Sequence, residues 1–270
     1  CAGKHHPRIK QVFALRNNTK PNPHKFCVIE GIWAHEKAFK AGLYTEAFIC
    51  CPEIIHRQQA KELAVAYIAR ANGAYQVSKK VFLRLAERDK TAGLMSVVQL
   101  QISTLEQIVL KEHNLLVILD GVEIPGNIGT IMRTIDGVHA DALILCNRRA
   151  RITHPKVIRA SQGACFFVPI VEFDNGVEIV MHWLKTHDFS VFLADANDGK
   201  SYYSVQYSGR VALVAGSERY GITRQWYQYP HENVRIPMFS DITDSLNVGI
   251  ATTMILYEMG LRQRGILKRR

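Results

Sequence analysis

Short apolar runs alternate with amphipathic stretches along the first half of the chain. Runs rich in β-branched and aromatic side chains predict strands, and apolar residues recurring every three to four positions predict helices. The predicted strands are residues 26–29, 47–50, 75–77 and 95–100. The predicted helices are residues 7–16, 58–71 and 79–88, with a further helical stretch that ends near Gly42. This alternation predicts an α/β unit.

Continuous apolar runs dominate the second half, which is typical of parallel strands buried on both faces. The predicted strands are residues 115–119, 142–145, 166–168, 190–194, 211–215 and 234–236. Helices are predicted between them, most clearly over residues 177–185 and 245–262. An open α/β sheet of this kind binds ligands at the carboxyl ends of its strands. The polar stretch 103–114 separates the halves, so we predict domains at residues 1–105 and 112–270.

Positive charge is concentrated in the front half and in the C-terminal tail. The 270 residues contain 34 Lys and Arg against 24 Asp and Glu, a net charge of +10. Residues 1–110 hold 16 basic and 8 acidic side chains, and five more basic side chains lie in the last nine residues. This distribution favours a polyanionic partner such as RNA, with a merely solubilising surface as the alternative. Four basic residues of one predicted helix are candidates for phosphate contacts, or equally for a solvated face: Lys79, Lys80, Arg84 and Arg88.

Several common ligand classes have no motif in this chain. No Gly-Lys-Ser/Thr follows the glycine-rich segments and no complete G-x-G-x-x-G occurs, which disfavours nucleoside triphosphates and nicotinamide dinucleotides. The 11 histidines and 6 cysteines are scattered without metal-ligand spacing, so no metal is expected. No apolar run approaches the ~18 residues of a membrane span, and no leader-like segment is visible. We therefore expect a reduced, cytoplasmic or organellar compartment and no membrane attachment.

Three glycine-rich or polar segments follow predicted strands of the second half. They are DGVEIPGNIGTIMRT (residues 120–134), GSERYG (216–221) and IPM (236–238), which leads into SLNV (245–248). Each alone is an ordinary α/β turn, but in this order they resemble the SpoU/TrmH branch of the SPOUT RNA methyltransferases. The layout is similar to that of the thiostrepton/nosiheptide-resistance ribosomal RNA methyltransferases. Residues 26–31 look like part of the substrate-binding domain that many members carry.

The resemblance implies a fold and a reaction. The front half would be an L30e-like α/β RNA-binding domain, and the second half a SPOUT α/β domain with a trefoil knot. The cofactor would be S-adenosylmethionine, the protein a homodimer, and the reaction methyl transfer to a ribose 2′-oxygen of RNA, most simply of 23S or other large-subunit ribosomal RNA.

The resemblance also assigns catalytic residues by motif position, namely Arg133, Asn127, Glu218, Ser245 and Asn247. A guanidinium stays protonated, so we expect Arg133 to grip a phosphate and orient the hydroxyl rather than to act as a simple base. Asn127 and Glu218 would support that arginine. Ser245 and Asn247 open a predicted helix, so N-capping is the alternative to a role in the site.

The cofactor pocket implied by the resemblance is formed by Leu193, Gly216, Ile236, Pro237, Met238 and Leu246. Apolar residues beside strands are also what an ordinary core requires, and only their positions in the three segments favour a ligand.

Two other functions remain open at this point. A transfer RNA substrate is disfavoured by the separate front domain. A non-catalytic RNA-binding or assembly protein on the same fold is disfavoured because the catalytic positions named above are intact.

Overall fold

The computed structural model describes residues 3, 5–87, 91–240 and 242–267, so the tail positions Lys268, Arg269 and Arg270 and the helix position Arg88 lie outside the described residues. The chain forms two compact units. The first comprises Cys1–Gln101 and Thr153–Phe166, and the second comprises Ile102–Ile152 and Phe167–Arg270.

The earlier elements are α1 (Pro7–Arg16), β1 (Phe26–Glu30), α2 (Ile32–Lys40), β2 (Thr45–Cys50), α3 (Gln58–Arg70), β3 (Ala74–Gln76), α4 (Lys79–Leu85) and β4 (Leu94–Gln99). The later ones are β5 (Asn114–Asp120), α5 (Pro125–Val138), β6 (Ala142–Cys146), α6 (Pro155–Ala160), β7 (Ile170–Glu172), α7 (Val177–Thr186), β8 (Ser190–Ala194), β9 (Lys200–Ser201), β10 (Arg210–Gly216), β11 (Glu232–Arg235) and α8 (Val248–Gln263).

The first unit is built on a mixed four-stranded sheet in the order β1-β4-β2-β3. Strand β4 pairs antiparallel with β1 and β2, whereas β2 and β3 are parallel. On one face of the sheet, side chains pack against α1 and α4, and Ile49, Met95 and Val97 among them are fully buried. Helix α6 also contacts β1, although it arises between two strands of the other unit.

A buried histidine connects α2 to the sheet of the first unit. The His35 ring is inaccessible to solvent, with Nδ1 2.7 Å from Gly31 O and Nε2 2.9 Å from Ser96 Oγ. A carbonyl only accepts, so Nδ1 carries the proton and Nε2 accepts from the Ser96 hydroxyl. Burial lowers the pKa of His35 to about 4. The ring is therefore neutral in the folded protein at neutral pH.

Because His35 ionises more readily in the unfolded chain, acid should destabilise the fold. The pKa of His35 is 6.5 in the unfolded chain and about 4 in the folded protein. At pH values between these two, the imidazole is protonated mainly in the unfolded chain, so the free energy of unfolding falls as the pH falls. The loss should reach roughly 3 kcal/mol. It is measured by urea unfolding of the full chain from pH 7 to 4. The non-titrating variant His35→Gln should have a flatter pH dependence in that window, and an identical slope in both proteins would contradict this assignment.

The second unit is built on a parallel seven-stranded sheet in the order β7-β6-β5-β10-β8-β11-β9. Every residue of β5 and β6 is buried, as the unbroken apolar runs predict. Since all the strands run in one direction, their carboxyl ends lie along one edge of the sheet. Helices α5 and α8 pack together beside it, with Thr134 Oγ1 2.8 Å from Thr253 Oγ1.

The sequence pattern predicts one strand at the wrong position and gives no range for two short elements. Residues 166–168 are not a strand, because Ala164–Phe166 forms a 3₁₀ turn and the strand β7 begins after Pro169. A short apolar run has no periodicity that distinguishes these two outcomes. The short elements for which no range was predicted are α6 and β9. None of the helices in the described part of the chain combines the length and apolarity needed to span a membrane.

Candidate active site

A cavity of about 610 Å³ opens at the carboxyl ends of three adjacent strands, β8, β10 and β11. Its size lies within the range of small-molecule sites, and its position is where an open α/β sheet binds ligands. The walls come from stretches within residues 194–197, 215–222, 234–238 and 245–255, together with Ile124 and Tyr227.

The cavity gathers most of the residues singled out from the sequence. Those that line it are Gly216, Glu218, Ile236, Met238, Ser245, Leu246 and Asn247. The Leu193 side chain is fully buried in the core of the sheet, and the next residue, Ala194, lines the cavity. A contact between Leu193 and the cofactor stays a prediction. Pro237 connects two lining residues without lining the cavity itself.

The Glu218 carboxylate attaches the turn after β10 to the start of α5. Its Oε1 accepts hydrogen bonds from Asn127 Nδ2 at 2.7 Å and from Ile124 N at 3.3 Å. Its Oε2 accepts from Glu123 N at 3.0 Å. The first N–H groups of a helix lack partners within the helix, and the helix dipole favours negative charge there. Glu218 therefore stabilises the position of α5 against the cavity turn.

The same hydrogen bonds control the ionisation of Glu218. Partial burial by itself would raise the pKa of this carboxyl. The N–H donors of Glu123, Asn127 and Ile124 outweigh burial and hold the pKa of Glu218 below its usual value. Glu218 is thus a carboxylate at neutral pH whose oxygens accept from α5, which suits it to positioning and not to proton removal.

Asn247 caps α8 and extends this network. Its Oδ1 accepts from Gly249 N at 2.9 Å and Ile250 N at 3.4 Å. Its Nδ2 donates to Asn127 Oδ1 at 3.2 Å. The Asn127 amide therefore bridges Glu218 and Asn247, and the capping role and the site role of Asn247 coincide. Helix α8 begins at Val248 because its cap lies at Asn247. The sequence pattern predicts a start at residue 245.

Gly216 ends β10 where the chain turns back on itself. Ser217 N donates to Gly221 O at 3.0 Å, and Gly221 N donates to Ser217 O at 2.9 Å. A Cβ on Gly216 would lie 2.2 Å from the Gly221 carbonyl carbon and 2.3 Å from Ile222 N. These are backbone atoms that cannot move aside, so only glycine permits this cavity wall.

Asp120 anchors the same edge of the sheet from inside. It is completely buried at the end of β5. Its Oδ1 accepts from Asn147 Nδ2 at 2.6 Å, and its Oδ2 accepts from Thr223 N at 2.7 Å. A buried carboxylate requires such partners. The sequence indicated no role for Asp120 beyond its place at the head of the first motif.

Sequence reasoning missed three polar side chains of the cavity wall. Tyr227 Oη donates to Asp195 Oδ2 at 2.6 Å. Burial, and then this neighbouring carboxylate, raise the pKa of Tyr227 well above its usual value, so the hydroxyl keeps its proton. Thr252 is buried, and its hydroxyl has no hydrogen-bond partner among the described residues. An unpaired buried hydroxyl is costly unless a ligand atom satisfies it.

Arg133 is not part of the cavity wall. It lies on α5 six residues after Asn127, so the two side chains point about 120° apart around the helix axis. The Arg133 side chain is exposed and makes no hydrogen bond or ion pair with the described residues. Ser245 does line the cavity and is exposed.

The chemistry of the cavity suits an organic ligand that combines an apolar ring with polar groups. Ile236, Met238 and Ile255 supply apolar surface, and Thr252 and Asp195 supply polar atoms. No group of three His, Cys, Asp or Glu side chains in the described ranges could hold a metal ion. Fold and site together define an α/β protein that binds a nucleoside-sized ligand where its parallel strands end.

Comparison with known protein families identifies this class more closely. The sequence model of the SpoU rRNA Methylase family matches residues 114–257, more than half of the chain, and the chain therefore belongs to this family. A second model, the MRM3-like substrate binding domain, matches residues 6–96. The family and the α/β class predicted from the motifs are thereby confirmed, whereas the trefoil knot stays a prediction.

Individual relatives agree with this result. A Staphylococcus epidermidis protein described as a TrmH family tRNA/rRNA methyltransferase is 32% identical over 147 residues, which cover 54% of this chain and 58% of that protein. The match thus spans little more than half of the relative. An AdoMet-bound rRNA methyltransferase from Sinorhizobium meliloti has a TM-score of 0.86 at 25% identity, covering 99% of this chain and 98% of that one. An RNA 2′-O ribose methyltransferase has a TM-score of 0.78 at 28% identity, with 98% of both chains covered.

Adding a methyl group at Gly216 should disrupt the cavity wall, whereas adding one at Gly126 should not. Gly216→Ala should lower the free energy of unfolding by at least about 1–3 kcal/mol, because its Cβ meets fixed backbone. A Cβ on Gly126, in the first turn of α5, meets nothing within 4 Å, so Gly126→Ala should leave stability unchanged or raise it slightly. Urea unfolding of both variants checks this, and equal stabilities would contradict the geometry.

Proposed function

We propose that this protein is an S-adenosylmethionine-dependent methyltransferase that modifies a ribose 2′-hydroxyl of RNA, with large-subunit ribosomal RNA as its substrate. The observation that carries the proposal is the cavity at the ends of β8, β10 and β11, whose three motif segments are joined through Glu218, Asn127 and Asn247. The similar Sinorhizobium meliloti protein is an AdoMet-bound rRNA methyltransferase, which supports both the cofactor and the substrate class.

The cavity residues fit the proposed cofactor. Ile236, Met238 and Leu246 would enclose the adenine ring, and backbone groups beside Gly216 would contact its polar edge. The unpaired Thr252 hydroxyl is available to a polar atom of the same ligand. The negative charges of Asp195 and Glu218 would favour a ligand that carries positive charge. When bound, the cofactor supplies a methyl carbon attached to a sulfonium, and the electron pair of the broken S–C bond stays on sulfur.

The remaining task of the protein is to orient a ribose hydroxyl and provide for its proton. Glu218 is a poor base because its pKa is low and its oxygens are occupied by donors. The guanidinium of Arg133 cannot remove a proton either. We infer that Arg133 holds a phosphate of the target nucleotide and polarises the 2′-hydroxyl, and that Ser245 and Asn247 orient the ribose. The 2′-OH proton then leaves to solvent water, assisted by that phosphate, as the oxygen bonds to the methyl carbon. Positioning of this kind accounts for large rate accelerations.

The two halves of the chain would divide the work. We propose that residues 1–105 bind the RNA and that residues 112–270 carry out the transfer. The match of residues 6–96 to a substrate-binding domain supports this division, as does the positive charge of the front half. Lys79, Lys80 and Arg84 are exposed on α4, where they are available to phosphates.

Replacing Arg133 should slow methyl transfer without destabilising the fold. Arg133→Ala should lower the single-turnover rate of methyl transfer at least about a hundredfold, since a group acting in the transition state is worth ~2.7–4 kcal/mol. Arg133→Lys should recover little of it, because an ammonium lacks the bidentate geometry. The rate is measured with labelled cofactor and saturating ribosomal RNA. The fold of both variants should be intact, because Arg133 is exposed and unpaired among the described residues. A near-normal rate in Arg133→Ala would exclude this arginine from the mechanism.

We further propose that the protein is a homodimer, as its family resemblance implies. Ile250, Met254 and Tyr257 are 51%, 36% and 45% exposed, and their spacing puts them on one face of α8. A second copy of the chain would cover this apolar face in an isologous interface. Light scattering should give twice the 30.5-kDa chain mass, and Met254→Glu should reduce it to one chain, whereas Met254→Leu should not. A monomeric unsubstituted protein at micromolar concentration would contradict the proposal.

A further inference from the structure

The turn that forms one wall of the cavity also carries an exposed aromatic residue at the rim. Tyr220 lines the cavity, yet 70% of its surface is accessible to solvent. The Arg219 guanidinium lies 5.1 Å from the centre of the Tyr220 ring. Neither side chain makes a hydrogen bond or ion pair with the described residues, so both are available to a ligand.

The backbone of this turn holds the pair in place. Ser217 Oγ accepts hydrogen bonds from Arg219 N at 3.2 Å and from Tyr220 N at 3.3 Å. The two hydrogen bonds between Ser217 and Gly221 close the turn. The preceding residue, Glu218, points to α5 and is held there by three hydrogen bonds. The ring is therefore presented at the rim by a turn fixed at both ends, although it contributes nothing to the core.

We propose that Tyr220, with Arg219 on its ring, is the platform on which the nucleobase of the target nucleotide stacks. This assignment rests on the proposed function and specifies how that site selects its substrate. Proteins hold unstacked RNA bases on aromatic rings and guanidinium planes, because every base has an accessible π-face. A base on this platform keeps its own ribose beside the cavity, which is where the 2′-oxygen has to be.

The main alternative is that Tyr220 covers the bound cofactor, because its ring also lines the cavity. The two roles differ in what a truncated side chain would impair. A stacking platform affects the use of RNA and leaves cofactor affinity unchanged. A cover for the cofactor affects the dissociation constant of S-adenosylmethionine whether or not RNA is present.

The first experiment compares Tyr220→Ala with Tyr220→Phe and Tyr220→Trp. Removing the ring should lower kcat/KM for RNA about 10- to 100-fold, while the two aromatic variants should stay within about threefold of the unsubstituted protein. The dissociation constant of S-adenosylmethionine, measured by calorimetry, should change less than twofold. Tyr203→Ala is the matched control, because Tyr203 is 53% exposed in the same unit and does not line the cavity. It should behave like the unsubstituted protein.

A second experiment removes the base and keeps the ribose. After the methylated nucleotide is mapped, RNA carrying an abasic ribose at that position should be used by the unsubstituted protein and by Tyr220→Ala at the same low rate. A further loss in Tyr220→Ala on abasic RNA, a normal kcat/KM on intact RNA, or a weakened cofactor affinity would each overturn the platform. Absence of ribose methylation by the unsubstituted protein would overturn the proposed function, and the platform with it.

Discussion

The site depends on one carboxylate. Glu218 follows β10, and its carboxylate accepts hydrogen bonds from the backbone N–H groups of Glu123 and Ile124, just before α5, and from the Asn127 side chain. The side-chain oxygen of Asn127 in turn accepts a hydrogen bond from the side-chain amide of Asn247, which caps α8. Segments that lie about a hundred residues apart in the sequence are thereby held together. If the Glu218 carboxylate were protonated, it would accept fewer hydrogen bonds and would lose its favourable interaction with the helix dipole. The lowered pKa of Glu218 therefore helps to hold the three segments together at neutral pH.

The parallel sheet makes this convergence possible. Because β5, β8, β10 and β11 run in one direction, the loops that follow them emerge along one edge. Asp120 then secures that edge from the interior, and Gly216 lets the backbone after β10 return closely enough to form a wall. The core thus provides rigidity, while the chemistry is carried by turns whose side chains point away from it. Function resides in the loops of such folds.

The motif segments made much of this site predictable. Glycines and polar residues that follow apolar runs indicate strand ends, and the order of the three segments indicates the family. Contacts that depend on the packing of distant residues left no such signal. Thr252 reads as an ordinary helix residue, and Asp195 with Tyr227 become a pair only through the packing of the second unit. Leu193 and Ala194 are both apolar neighbours in one strand, so their sequence does not show which of the two side chains faces the cavity. Likewise, no local pattern indicates that α6 packs on β1.

The reaction proposed for the cavity is the delivery of a methyl group to a ribose oxygen of RNA. The most direct measurement uses S-adenosylmethionine with an isotopically labelled methyl group, the purified full chain and unmodified large-subunit ribosomal RNA. The RNA is then digested to nucleosides for mass spectrometry. Methyl transfer to a ribose oxygen should give one labelled nucleoside whose extra mass lies on the ribose fragment. A label on a base fragment, or no labelled nucleoside although the cofactor binds, would contradict it.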